Sequence, residues 1–288
     1  MNNKLNSLYI HFPYCRHLCN YCDFFKSKLH NLSDIDDFER LFLSQDEALE
    51  KLHLKYEFQW ASELKTLFMG GGTPSLWGER GANFLSEWLQ SKKICSKTPR
   101  EWTLEVNPGG WSSEGINAFR QLGFNRFSLG VQSLDSRFLK ILDRIHNPEE
   151  VFKTLEFFSN ESLNFSVDFM LGLPFSERFE RNIALELEEI LKFSPRHLSL
   201  YILTVKENYK HFNELPTDEF IADEYLKESE FLKSFGFNHY EVSNFALPGY
   251  ESVHNLRYWE GKSVSALGPS ATGYLADIGL RYNFSGRT

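Results

Sequence analysis

Short apolar runs alternate along the chain with longer stretches whose apolar residues recur every three or four positions. The runs at 8–12, 66–69, 102–106, 126–131, 165–170 and 197–203 predict strands, and the amphipathic stretches at 34–54, 81–91, 113–122, 148–158, 177–192 and 218–235 predict helices. Ser33-Asp34 and Thr217-Asp218 stand where two of these helices should start, and Gly123 and Gly236 follow two helix ends as C-cap glycines. No low-complexity tract or short-period repeat interrupts the alternation. Serial β–α units imply a parallel sheet with right-handed crossovers, which an open doubly wound sheet and a barrel both satisfy. The unusual polar residues decide between them. They fall at the C-terminal ends of almost all the strands, and only in a barrel do those ends converge on one mouth. The expected fold is therefore α/β: an incomplete parallel (β/α)6 TIM-like barrel over residues 1–245, with a short C-terminal extension at 246–288.

Composition narrows the class. The 288 residues are 42% hydrophobic, enough for a large core, and the 27 Phe predict an aromatic interior. A formal charge of −8 argues against a nucleic-acid or anionic-membrane surface. No apolar window approaches a transmembrane span, and Met1-Asn-Asn-Lys-Leu-Asn does not begin a signal peptide. Of four cysteines three share one loop, and Cys95 has no sequence partner, so it reads as a bystander thiol. A disulfide framework is not expected, and a reducing, cytoplasmic location is.

The shared loop is Cys15-x3-Cys19-x2-Cys22, directly after a strand that ends at Pro13. Three thiolates on one loop suit three corners of a [4Fe–4S] cube, and the fourth iron is then left open, unlike that of a four-cysteine electron carrier. The competing reading is a zinc site completed by His17 or His11, although zinc cysteines usually come as pairs from separated segments. Further polar signals follow at the strand ends. Gly70-Gly71-Gly72-Thr73 permits close backbone approach but lacks the Lys-Ser/Thr ending of a phosphate loop. Glu105 and Asp168 are acids embedded in apolar strands, where an acid is costly without a partner; Glu105 would suit a ribose hydroxyl or an ammonium. Gln132 and Arg144 are natural partners for carboxylate and ribose oxygens, with Arg144 equally able to pair with Asp143 or Glu149 on a surface helix.

In this order the motifs resemble the radical S-adenosylmethionine superfamily. Cys-x3-Cys-x2-Cys, Gly-Gly-Gly-Thr-Pro-Ser, Glu-x-Asn-Pro, Gly-Val-Gln-Ser and Asp-x-x-x-Gly-Leu-Pro are similar to its oxygen-independent coproporphyrinogen III oxidase-like branch, which includes the HemW heme chaperones. The resemblance implies a [4Fe–4S] cluster on Cys15, Cys19 and Cys22. It implies S-adenosylmethionine contacts from Tyr9, Tyr21, Gly71, Gly72, Thr73, Glu105, Gln132, Arg144 and Asp168, with the triple glycine gripping the methionine amino group. It also implies reductive cleavage to a 5′-deoxyadenosyl radical, with flavodoxin or ferredoxin as electron donor.

Two features point to the chaperone side of that branch. Phe24 stands where the dehydrogenases resemble one another in a further cysteine, and the first strand begins within ten residues of Met1. A third agrees: His254-Asn-Leu-Arg-Tyr258-Trp259 matches a His-Asn-x-x-Tyr-Trp element associated with heme binding. This implies His254 as axial ligand, with Tyr258 and Trp259 as flat faces; the bland reading is a packed connection with a hydrogen-bonded histidine. His239 is expected to be structural. The stretch at 266–273 departs from a His-containing version, and the group usually continues into a small helical domain where this chain stops, so it is expected to be truncated. The expected function is a HemW-like chaperone that passes heme to acceptor hemoproteins, with any membrane association through those acceptors. The alternatives are an oxygen-independent coproporphyrinogen III dehydrogenase and a structural zinc barrel.

Overall fold

The computed structural model describes residues 3–95 and 100–284; the expectations resting on Met1, Asn2 and the last four residues lie outside it. Strands β1 (Ser7–Phe12), β2 (Thr66–Gly71), β3 (Glu101–Val106), β4 (Arg126–Gln132), β5 (Phe165–Leu171) and β6 (His197–Ile202) lie side by side in that order, all parallel. Successive side chains on a strand face opposite ways. One set, including Ile10, Met69, Leu104, Leu129, Val167 and Leu200, joins the continuous apolar core. The alternating set is polar: Glu105, Ser128, Asp168 and Tyr201 line the cavity inside the barrel. The apolar runs thus conceal a period-2 pattern that builds a polar lumen.

Helices α1 (Leu32–Lys55), α2 (Gly78–Ser91), α3 (Ser113–Leu122), α4 (Ser136–Ile141), α5 (Pro148–Asn160), α6 (Ile183–Leu191) and α7 (Asp218–Ser234) connect the strands. The first begins slightly earlier than expected, because the Asn31 side chain accepts from Ser33 N while Asp34 completes a capping box. Thr217 caps α7, and Gly123 ends α3 at φ 122°. The helix expected over 177–192 starts only at Ile183. Phe175 and Glu180 adopt left-handed φ of 65° and 49°, which keeps 175–182 out of helix until Asn182 caps α6. The crossover after β4 holds two helices, and Arg144 occupies the loop between them.

The C-terminal segment is woven into the barrel. Strands β7 (Asn238–His239) and β8 (Asn244–Ala246) extend the sheet antiparallel beyond β6, and β9 (Ser265–Leu267) pairs parallel with β1, so that among the described residues this sheet has nine strands. The expected boundary at 245/246 therefore runs through β8. Strands β10 (Thr272–Leu275) and β11 (Leu280–Asn283) form a hairpin whose Tyr282 hydroxyl accepts from Ala266 N at 2.8 Å. Gly268, in the stretch that departs from the family pattern, has φ 102°, and a Cβ there would fall 2.2 Å from the His11 carbonyl oxygen. That glycine is demanded by packing against β1.

Helix α8 (Val253–Trp259) closes the N-terminal end of the barrel. Its first backbone amides donate to Glu101, the first residue of β3, and His254 bonds Thr66, the first residue of β2. Beneath the opposite end, Phe38 packs edge to face on both Phe12 and Trp77, with centroids 5.0–5.1 Å apart, and this cluster fixes the end of β1. Among the described residues no helix is long and apolar enough to cross a membrane.

Candidate functional site

A cavity of about 620 Å³ opens at the C-terminal ends of the strands, within the size range of ligand pockets, roughly 300–1,000 Å³. Cys15, Cys19 and Cys22 line one wall, half-buried and free of disulfides. Their loop is tied at its base, where Tyr14–Cys15 pairs with Ser27–Lys28 and Ser27 N donates to Pro13 O at 2.8 Å. Burial pushes the thiols of Cys15 and Cys19 up, opposed at Cys15 by the Thr73 hydroxyl and at Cys19 by Arg144. Iron binding has to displace those protons, so the nearby cation and hydroxyl favour it.

The donor set fits a cluster better than a single zinc ion. Among the described residues no three Cys, His, Asp or Glu side chains converge closely enough to hold one metal ion, whereas three separate thiols share one wall. Neither histidine of the zinc reading is turned to the thiols. His17 Nε2 pairs with Asp143 Oδ2 at 2.9 Å, and the His11 ring lies between the Tyr9 hydroxyl and the Phe25 carbonyl. In a cluster each iron takes its own thiolate, and this spread of thiols suits that.

The triple glycine is held hard against the cysteine loop. Gly72 N donates to Phe12 O at 2.7 Å and Thr73 N to Tyr14 O at 2.8 Å. A Cβ on Gly72 would fall 2.5 Å from the Tyr14 carbonyl oxygen, and one on Gly71, at φ 111°, would strike the His11 ring. Both glycines are therefore required by the protein's own backbone before any ligand arrives. From here a polar chain crosses the mouth. Asn107 Nδ2 donates to Thr73 Oγ1 at 2.7 Å, and Arg144 Nη2 donates to Asn107 Oδ1 and Gly130 O, both at 2.8 Å. Arg144 Nη1 lies 4.0 Å from Cys19 Sγ. Half-buried in the loop between α4 and α5 and turned to Asn107, Gly130 and Cys19, Arg144 is not the surface-helix residue of the other reading.

Lower on the wall, Glu105 accepts from Gly71 N at 3.0 Å, and Ser128 Oγ donates to Asp168 at 3.1 Å. Burial, reinforced by the Asp168 charge, pushes Glu105 up to about 8, and burial also raises Asp168. Folded Glu105 thus keeps its proton to about pH 8, whereas an ordinary glutamate gives it up near 4.5. Between those values the unfolded chain binds fewer protons, so stability falls as pH rises through the window. Glu105→Gln is neutral at every pH. Urea unfolding of this variant is expected to show a smaller loss of stability between about pH 5 and 8 than wild type. Parallel curves would mean that Glu105 ionises normally.

The mouth cavity gathers Cys15, Cys19, Cys22, Tyr21, Gly71, Gly72, Thr73, Glu105, Gln132, Arg144 and Asp168. Burial pushes the Tyr21 hydroxyl up to about 12, and Gln132 turns into the mouth with a left-handed φ of 68°. Tyr9 is placed lower. Its ring stacks on Phe68 in a second chamber of about 200 Å³, joined to the first by Glu105, Ser128, Asp168 and Tyr201. His254 does not line the mouth cavity; it lines the second chamber, at the barrel floor. Only 2% exposed, it bonds Thr66 Oγ1 at 3.0 Å and the Tyr258 hydroxyl at 3.4 Å at the barrel floor. Burial drives it down to about 3, so it is neutral, but both ring nitrogens are occupied. Tyr258 and Trp259 are exposed. His239 bonds the Tyr225 hydroxyl at 2.9 Å and stacks on Phe245. The sequence reading quoted Asn107 only as part of the Glu-x-Asn-Pro motif and did not single it out as a site residue; the structure places it in the mouth between Thr73 and Arg144.

The sequence model of the Radical SAM superfamily matches residues 9–187. The chain is 33% identical to the heme chaperone HemW of Lactococcus lactis, across 98% of this chain and 72% of that protein. It is 33% identical to the heme chaperone HemW of Escherichia coli, across 93% and 69% respectively. Among solved structures, coproporphyrinogen III oxidase (HemN) from Escherichia coli, described as a radical SAM enzyme, superposes with a TM-score of 0.80 at 20% identity. That match covers 100% of this chain and 68% of the other, and supports the barrel fold.

Proposed function

The chain belongs to the radical S-adenosylmethionine superfamily and, within it, to the HemW family, and from that membership we propose that it is a heme chaperone. It binds heme, passes it to acceptor hemoproteins, and carries a [4Fe–4S] cluster and S-adenosylmethionine in the barrel mouth. The observation that carries the reading is identity to HemW proteins over nearly the whole chain. Phe24, in place of a further cysteine, supports it against a dehydrogenase.

Cys15, Cys19 and Cys22 would hold three irons of the cluster, and Arg144 would favour the thiolate of Cys19 and offer a fork to a carboxylate. When bound, the cluster supplies single electrons to S-adenosylmethionine, with reduced flavodoxin or ferredoxin as donor. Protonated Glu105 is suited to donate to a ribose hydroxyl, and ionised Glu105 to accept from an ammonium. Asn107 would hold the Arg144 fork in place through Thr73. A hydrogen bond to a charged group is worth ~1.5–3 kcal/mol, so Asn107→Leu is expected to weaken S-adenosylmethionine binding about tenfold or more by titration calorimetry. Unchanged affinity would make Arg144 independent of Asn107.

The function is tested on anaerobically reconstituted protein. Heme-loaded protein is expected to transfer heme to an apo-hemoprotein acceptor, followed by the Soret spectrum. The same protein with reductant, S-adenosylmethionine and coproporphyrinogen III is expected to yield no protoporphyrinogen. Formation of that product would move the protein to the dehydrogenases.

A further inference from the structure

Strand β4 ends in an unusual backbone. Its register with β5 slips between Gly130 and Gln132, and Gln132 sits at φ 68°, a conformation uncommon for a residue with a Cβ. Such a conformation persists only where the surroundings impose it. Part of the constraint comes from inside the mouth, where Arg144 Nη2 donates to the Gly130 carbonyl. The rest comes from behind the barrel wall.

There Glu186, in the first turn of α6, gathers the three residues that follow Gln132. Its Oε2 accepts from Ser133 Oγ at 2.6 Å, from Leu134 N, and from Asp135 N at 3.3 Å. Its Oε1 accepts from Arg181 Nε at 2.8 Å. Arg181, whose side chain is 0% exposed, also donates to the Met170 carbonyl at 2.7 Å and the Gln132 carbonyl at 3.5 Å. Its guanidinium lies 5.0 Å from the ring centres of both Phe138 and Phe169, which box it in. Neither Arg181 nor Glu186 lines the mouth cavity. The pair thus ties the end of β5 to the end of β4 from outside the site. A buried ion pair adds little stability over a well-packed apolar replacement, and its best-attested use is to fix one arrangement among several.

We propose that Arg181 and Glu186 are positioning residues for S-adenosylmethionine, holding Gln132 in the backbone conformation that turns it into the mouth. The proposal rests on the reading of the mouth as the S-adenosylmethionine site with Gln132 as one of its contacts. Without the pair, the chain after Gln132 relaxes toward an ordinary strand end. Gln132 then faces the ligand for a smaller fraction of the time, and the apparent affinity falls by that fraction. Because the pair acts through Gln132, its effect vanishes once the Gln132 amide is gone.

The test uses the full, anaerobically reconstituted chain, with S-adenosylmethionine affinity from titration calorimetry and iron measured alongside. Arg181→Met/Glu186→Leu removes both charges together and leaves neither unpaired, so its thermal midpoint is expected to stay near that of wild type. Its affinity is expected to fall about fivefold, as in Gln132→Ala, with iron unchanged. Adding the pair change to Gln132→Ala is expected to cost less than a further factor of about two, whereas a purely structural pair gives additive losses. Glu186→Gln, the milder change, carries the same comparison should the double variant unfold. It keeps one acceptor for three donors, and about threefold weakening is expected, again only while Gln132 is present. Wild type that binds no S-adenosylmethionine would overturn the reading of the mouth itself. Wild type that binds it while Glu186→Gln and the folded double variant keep full affinity would overturn the pair alone. Additive losses in the combined variant, full affinity in Gln132→Ala, or loss of iron from the pair variants would do the same.

Discussion

Replacing any one of Cys15, Cys19 or Cys22 with serine is expected to leave anaerobically reconstituted protein nearly colourless, its iron falling from about four per chain to near zero. A [4Fe–4S] cube held by three protein thiolates has no spare ligand, and a serine hydroxyl is a poor substitute for a soft thiolate at neutral pH. The loss is expected to be local. The cysteine loop is anchored by backbone bonds at its base, Ser27 N to Pro13 O and Leu29 N to Cys15 O, both at 2.8 Å, and none of these uses a thiol. The thiols are half-buried on a cavity wall and belong to none of the apolar core clusters. Far-ultraviolet circular dichroism and thermal midpoint should therefore match wild type without cluster. Cys95→Ser serves as the control, because Cys95 is exposed and far outside the mouth's wall; it should keep full iron. Full iron in Cys22→Ser would show that another residue completes the cluster. Iron loss in Cys95→Ser would show that the fourth cysteine is no bystander.

The barrel strands were legible because each is a short apolar run buried on its outer face, bounded by a loop. Their ends were legible for a different reason: a glycine triplet, an embedded acid or an amide departs from the surrounding pattern just where the barrel mouth lies. The lumen was harder to see. Ser128, Asp168 and Tyr201 reach the same cavity from separate strands, and only closure of the sheet brings them together. The flanking strands β7 to β9 have two or three residues each, too few for a period to emerge. The helix expected over 177–192 begins too early because residues 177–182, polar apart from Phe179, tolerate a helical pattern, while the left-handed backbone at Phe175 and Glu180 is invisible in composition. The placement of His254 was the least legible feature. A histidine beside aromatic residues has the same local sequence wherever the fold puts it, and only the long-range contacts show it at the barrel floor, bonded to Thr66 and lining the second chamber.

That floor is where the largest loss of stability is expected. Glu101 was not distinguished in sequence from any other charged residue beside a strand, yet its side chain is only 7% exposed and gathers four groups. Ser252 Oγ donates to it at 3.1 Å, Val253 N at 2.9 Å and His254 N at 2.8 Å, and the Arg126 guanidinium, 4% exposed, lies 4.0 Å away. The carboxylate thus takes the free amides at the start of α8, where a negative charge is favoured, and faces a buried cation. Glu101→Ala removes both roles and leaves Arg126 without its nearest carboxylate. Breaking a buried pair from one side costs about 3–5 kcal/mol, which for a domain of this size lowers the thermal midpoint by on the order of 10 °C. Glu101→Gln keeps an acceptor for the amides but loses the charge, so an intermediate loss is expected, and the gap between the variants measures the contribution of Arg126. Because the floor is at the opposite end of the barrel from the cysteine loop, Glu101→Ala held well below its midpoint should still take up its full iron. A loss under about 1 kcal/mol would mean that α8 is held by apolar packing, with the carboxylate replaceable by water.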